Sequence, residues 1–252
     1  MDVQDGVAIV TGSSSGVGAA CARQLAEKGC HVVINYAHNE GGALATQATC
    51  EEYGVETIVQ KADIADDDQC RALADAALDK WGRIDALINN AGTTKFNAHP
   101  NLDGLNKQDF LDIYAVNTVG AYQMTRAVAE SMRTSGQGSV VNVSSVAGVM
   151  GVGSSVAYAA SKGALITMTL SLARALGPEI RVNCIAPGLT DTAQPRYGHT
   201  EAELVEMVDK VPLGRLIQPE EIADMAIFLC SDQSKMVTGQ TYHVNGGTYS
   251  PG

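Results

Sequence analysis

Positive charge is scarce in this chain. Lys and Arg total 17 against 28 Asp and Glu, a net charge of −11, and the isoelectric point is about 4.8. So acidic a chain repels phosphate polymers and anionic lipid, which excludes nucleic acid and membrane surfaces as general partners. Paired thiols are missing as well: none of the six cysteines, Cys21, Cys30, Cys50, Cys70, Cys184 and Cys230, forms a C-x-x-C pair. No secretory signal pattern precedes the first strand-like run. Reduced thiols in a cytoplasmic protein are therefore expected, with neither a disulfide framework nor a zinc site. The five histidines show no metal-ligand spacing, so no metal is expected. No apolar run reaches the roughly 18 residues that would span a bilayer. Repeats, low-complexity tracts and Pro/Ser-rich linkers are also absent, and residues 1–252 read as a single domain.

What is present is 45% hydrophobic residues, enough for a sizeable core, and 26 glycines. Strand-like runs fall at Val7 to Val10, His31 to Asn35, Glu56 to Gln60, Ala86 to Asn89, Gly138 to Val143, Arg181 to Ile185 and Thr241 to Val244. Helical patterns occupy Gly16–Lys28, Gly42–Tyr53, Asp67–Trp81, Lys107–Arg133, Ala157–Leu176 and Glu220–Leu229. This alternation predicts an α/β fold, a doubly wound seven-stranded parallel sheet flanked by helices on both faces. The stretch 188–216 lacks a strand signal and is the expected substrate lid, because ligand crevices form beyond the carboxyl ends of strands.

The first strand runs into Thr11-Gly12-Ser13-Ser14-Ser15-Gly16-Val17-Gly18 and then a helix pattern. A tight turn at a helix N-terminus presents backbone N–H groups to an anion such as a pyrophosphate. Gly12 permits the turn, Gly16 leaves room for phosphate, and Gly18 lets the helix approach the sheet. Cofactor choice turns on the end of the second strand, Asn35-Tyr36-Ala37-His38-Asn39, where no acid stands before Glu40. An acid there holds the ribose 2′-OH of NAD and repels the 2′-phosphate of NADP. Its absence, with Ser14, Asn35, His38 and Asn39 as phosphate partners, favours NADP(H), with NAD(H) as the alternative.

Further along stand Asn89-Asn90-Ala91-Gly92, Asn117, Ser145, Tyr158-Ala159-Ala160-Ser161-Lys162 and Pro187-Gly188. With the T-G-x-x-x-G-x-G loop, this ordered set resembles the short-chain dehydrogenase/reductase family, a compact Rossmann fold, over nearly the whole chain. The 3-oxoacyl-carrier-protein reductases and related carbonyl reductases are the similar members. The resemblance implies Tyr158 as catalytic acid/base, Lys162 as its activator, Ser145 as the carbonyl-orienting hydroxyl and Asn117 as organiser of a proton relay. It further implies that Asp63 and Ile64 meet the adenine, and that the turn of Asn90, Ala91 and Gly92 lies beside the adenosine ribose. Thr190 and Thr192, after Pro187 and Gly188, match positions at the nicotinamide carboxamide. The remaining cofactor contacts it implies are Gly12, Ser14, Ser15, Gly16, Val17, Gly18, Asn35, Tyr36, His38, Tyr158 and Lys162. Most relatives are homotetramers, so a tetramer is expected, with a dimer as the alternative.

The residues support the same chemistry directly. Tyr158 and Lys162, at i and i+4, share one helix face. A free phenol titrates near pH 10, and an ammonium within roughly 4–6 Å lowers it by 1–3 units. Ser145, 13 residues before Tyr158, hydrogen-bonds the same substrate oxygen. The expected activity is carbonyl/alcohol interconversion by hydride transfer, chiefly NADPH-dependent reduction of a ketone or 3-oxoacyl-type compound. An NAD-dependent alcohol or sugar dehydrogenase is the alternative, and a redox-inactive dinucleotide sensor is the alternative of another class. An acidic carrier protein would need local cations, for which Arg133 and Arg174 are candidates, yet the net charge of −11 favours a free small carbonyl compound. Met150, close after Ser145, is the expected wall of the substrate pocket.

Overall fold

The computed structural model describes residues 3–193, 198 and 200–250. Seven parallel strands form one sheet in the order β3-β2-β1-β4-β5-β6-β7. They are β1 (Val7–Val10), β2 (His31–Tyr36), β3 (Thr57–Lys61), β4 (Ala86–Asn89), β5 (Gly138–Val143), β6 (Ile180–Pro187) and β7 (Thr241–Val244). The register pairs Val10 with both Ile34 and Ile88, and Val143 with Ile185. The central strands β1, β4 and β5 are buried at every residue, which is why their sequences are apolar runs without alternation.

Helices α1 (Gly16–Glu27) and α2 (Glu40–Glu51) cover one face of the sheet, with a late helix, Pro219–Cys230, beside them. Helices α3 (Asp67–Trp81), α5 (Ala121–Thr134) and α7 (Val156–Leu176) cover the other, where Leu73, Met124, Val128 and Met132 are fully buried against Ile9, Leu87 and Val140. Further α-helices among the described residues are α4 (Lys107–Tyr114), the short α6 (Ala147–Met150) and α8 (Glu201–Asp209); Pro219–Cys230 is α9. Strand order reverses between β1 and β4, and at such a switch point the two following loops diverge and leave a crevice.

Three elements differ from the sequence reading. The pattern Lys107–Arg133 is not one α-helix: a π-helical turn, Ala115–Gly120, separates α4 from α5. The stretch 188–216 contains α8, whose N-terminus is a capping box in which Thr200 and Glu203 bond each other's backbone amides. That Thr-x-x-Glu signal stands in the sequence. Residues 194–197 and 199 of the expected lid lie outside the described residues. Finally, α7 is long and apolar enough to cross a membrane by length and composition alone. Here it packs against the sheet, with Lys162, Leu165 and Thr169 buried.

Candidate active site

One cavity of about 640 Å³ opens beyond the carboxyl ends of β1, β4, β5 and β6. That lies within the range of ligand pockets, roughly 300–1,000 Å³. Its wall begins at the glycine loop. Gly12 and Gly16 have φ of +62° and +53°, backbone that side chains rarely adopt. A Cβ on Gly12 would sit 2.8 Å from the Ala91 Cα, and one on Gly18 would sit 2.4 Å from the Gly12 carbonyl oxygen. Gly18 does not line the cavity; it lets α1 close against the loop. The N-cap of α1, Ser15, makes no side-chain cap, so its side chain leaves the first amides of the helix open. Ser14, Ser15, Gly16 and Val17 all line the cavity, and this end fits a diphosphate.

Three residues fix the loop from below. Thr11 Oγ1 accepts the amides of Asn90 (3.0 Å) and Ala91 (3.1 Å), and Asn90 Nδ2 donates to the Thr11 and Gly12 carbonyls at 3.1 Å each. Sequence reading passed over Thr11, since a threonine at a strand end carries no distinctive signal. Asn35 is likewise a brace. Its Oδ1 accepts the Gly12 amide at 3.0 Å and its Nδ2 donates to the Ala62 carbonyl at 3.0 Å, so the amide expected to meet phosphate is already committed to backbone. Tyr36 is buried in the core below α2 and does not line the cavity. Asn39 lines the cavity, but its Oδ1 caps α2 at the Gly42 amide. Ser14 and His38 line the cavity as expected, as do Asp63, Ile64, Asn90, Ala91 and Gly92. Asp63 Oδ1 also accepts the Ala65 amide at 3.0 Å.

The other end of the cavity collects Ser145, Tyr158 and Lys162, with Pro187, Gly188, Thr190 and Thr192. Ser144 and Ser145 both line the cavity, but the Ser144 hydroxyl is committed to structure, donating to the Lys162 carbonyl at 2.7 Å. Ser155, fully buried, caps α7 by accepting the Tyr158 amide at 3.2 Å, which fixes where the phenol starts. Lys162 Nζ donates to the Val143 carbonyl at 2.8 Å and lies 5.8 Å from the Tyr158 ring centroid. Burial lowers the Lys162 ammonium to about 8. Burial also raises the Tyr158 phenol above its ordinary value, with the Ser145 hydroxyl pulling it partly back. The direction for Tyr158 is thus opposite to the lowering expected from its lysine neighbour. Desolvation of the phenol outweighs an ammonium that is turned toward a carbonyl.

Asn117 lies in the π-helical turn, buried and outside the cavity wall. Its Oδ1 accepts the Thr93 amide at 2.7 Å, and its Nδ2 donates to the Thr93 carbonyl and Ser161 Oγ, both at 3.0 Å. The side chain thus ties the loop after β4 to α7. Thr190 Oγ1 donates to the Gly188 carbonyl at 3.0 Å, and Thr192 reaches over the glycine loop, its Cγ2 3.2 Å from where a Gly16 Cβ would stand. Met150 is exposed and does not line the cavity. The apolar wall is instead Phe96, Leu189 and Met207, with Thr93, Gly153 and Ser154. These come from three separate loops and from α8, and no local pattern marks them.

A family model described as enoyl-(acyl carrier protein) reductase matches residues 12–249. The chain is 37% identical over 244 residues to a Streptomyces violaceoruber protein assigned as ketoacyl reductase 2 of granaticin polyketide synthase, covering 96% of each. It is 36% identical to the 3-oxoacyl-(acyl-carrier-protein) reductase FabG of Staphylococcus aureus, covering 96% of this chain and 97% of the relative. A crystal structure from Burkholderia xenovorans, assigned as a short-chain dehydrogenase/reductase, superposes with a TM-score of 0.91 at 42% identity, covering 96% of this chain and 97% of that one.

Proposed function

The chain belongs to the short-chain dehydrogenase/reductase family of oxidoreductases acting on CH–OH and C=O groups, and we propose that it reduces a small free ketone or 3-oxoacyl-type compound with NADPH. The observation that carries this reading is one cavity with an uncapped helix N-terminus at one end and Ser145, Tyr158 and Lys162 at the other. A nicotinamide dinucleotide, when bound, supplies the hydride. Ser14, Ser15, Gly16 and Val17 would hold its diphosphate, Asp63 and Ile64 its adenine, and Lys162 its nicotinamide ribose. Ser145 donates a hydrogen bond to the substrate oxygen and fixes it beside Tyr158. Tyr158, whose phenol burial keeps protonated, gives its proton to that oxygen as the carbonyl carbon is reduced. The Lys162 ammonium then stabilises the phenolate, and Asn117 acts by holding the Thr93 loop and α7 together.

Two observations favour a free compound over a carrier-bound one. Among the described residues Lys162 is the one lysine or arginine in the cavity wall. Arg133 and Arg174 stand in the last turns of α5 and α7, at the edge of the sheet where strands begin and the cavity does not open. The described part of the stretch 188–216, with Leu189, Thr190, Thr192 and Met207 in the cavity wall, closes the substrate end as a lid, and four identical chains form the working assembly. Mass measured by light scattering tests that last element.

The deciding assay is dinucleotide oxidation with a panel of ketones, aldehydes and 3-oxoacyl thioesters, each with NADPH and with NADH. Turnover of a neutral ketone with NADPH preferred is the expected result. Normal dinucleotide binding without turnover on any carbonyl or alcohol would assign the chain as a sensor.

A further inference from the structure

At the end of the cavity far from Tyr158, the wall is formed by Ser14, Ala37, His38 and Asn39. Gly42 brings the first turn of α2 onto this wall: a Cβ there would lie 2.3 Å from the Ser14 carbonyl oxygen. The residue that opens α2, Glu40, is the first acid after β2 and is exposed. A carboxylate free to swing at this place repels a ribose 2′-phosphate and suits a ribose 2′-hydroxyl. Glu40 is held, however. Tyr36, its ring buried under α2, donates its hydroxyl to Glu40 Oε1 at 3.0 Å, and neither residue lines the cavity. Burial and the carboxylate both raise the phenol above its ordinary value, so it stays a donor at neutral pH.

We propose that Tyr36 and Glu40 form a selectivity latch, in which the buried phenol holds the carboxylate away from the ribose 2′ position and leaves that position to a 2′-phosphate. The latch rests on the dinucleotide site proposed above and accounts for an NADP site whose cavity wall, among the described residues, carries no arginine. Isothermal titration of the full-length protein with NADP⁺ and with NAD⁺ tests it apart from activity. Tyr36→Phe keeps the ring and frees the carboxylate. NADP⁺ is expected to bind about fivefold more weakly, the scale of one exposed charge contact, with NAD⁺ affinity within about twofold of wild type. The double variant Tyr36→Phe/Glu40→Gln restores the NADP⁺ affinity. Glu40→Gln alone, a surface change, leaves both affinities within about twofold, because the charge is already held away.

Equal weakening of both dinucleotides by Tyr36→Phe, no change in either, or failure of the double variant to restore NADP⁺ affinity would overturn the latch. So would severalfold tighter NADP⁺ binding by Glu40→Gln. Wild-type protein that binds neither dinucleotide overturns the functional reading itself, and the latch with it.

Discussion

Lys162 carries the sharpest conflict between function and stability. It is 4% exposed, and Val143 supplies the carbonyl that accepts its Nζ. Burial lowers its ammonium from 10.5 to about 8. Between those values the unfolded chain binds a proton that the folded chain does not, so stability rises with pH across that window. Below about pH 8 the full cost of burying the charge is present. Lys162→Met is therefore expected to be more stable than wild type at pH 7, by about 1–3 kcal/mol. The advantage shrinks from pH 8 to 10, while dinucleotide affinity and turnover both fall. Urea unfolding at several pH values measures it, and a less stable variant at pH 7 would refute the charge cost. At this scale the sequence was legible where spacing identifies chemistry: Ser145, Tyr158 and Lys162 do share one cavity. It was not legible where a side chain's partners decide its role. The Asn35 amide is committed to backbone, the Asn117 amide to the Thr93 backbone and the Ser161 hydroxyl, and Tyr36 faces the core.

Among the elements, α7 matters most, because its first turn sets the position of the phenol. Ser155 caps that turn from a fully buried position. Ser155→Ala should cost about 1 kcal/mol, as losses of N-caps do. It should also lower kcat more than it raises the dinucleotide Kd, since the Tyr158 amide loses its acceptor and the glycine loop is untouched. Denaturant unfolding read together with steady-state kinetics checks both; an unchanged kcat would separate the cap from the chemistry. Element boundaries were legible where Gly or acidic first-turn residues punctuate a helix, as at Asp66 and Gly82 around α3. The π-helical turn at Ala115–Gly120 was not, because its residues keep helical periodicity while the hydrogen bonds lengthen by one residue. The helix Glu201–Asp209 was missed although its capping box stands in the sequence, since Pro and Gly on either side read as loop.

For the molecule as a whole, the doubly wound sheet followed from strand–helix alternation, and the switch point followed from the sheet order, which placed the cavity. All six cysteines are free and buried, as their lack of pairing in sequence implied. Burial raises every one of these thiols, to about 11 for Cys50 and Cys184 and about 12 for Cys70 and Cys230. Folded values above the unfolded one, roughly 8.5, mean the folded chain keeps protons that the unfolded chain releases. That contribution is complete below about pH 8.5 and is lost as pH rises toward 11–12, so the urea midpoint should fall steadily above pH 9. A midpoint flat to pH 10.5 would contradict it. In the proposed reaction Tyr158 is the group that gives the substrate oxygen its proton. Its most direct test is Tyr158→Phe, with kcat for ketone reduction and Kd for NADP⁺ measured on the same preparation. A loss of about 10²–10⁴-fold in kcat with Kd within about twofold is predicted. Retained kcat, or a kcat that falls only in step with lost dinucleotide binding, would contradict it.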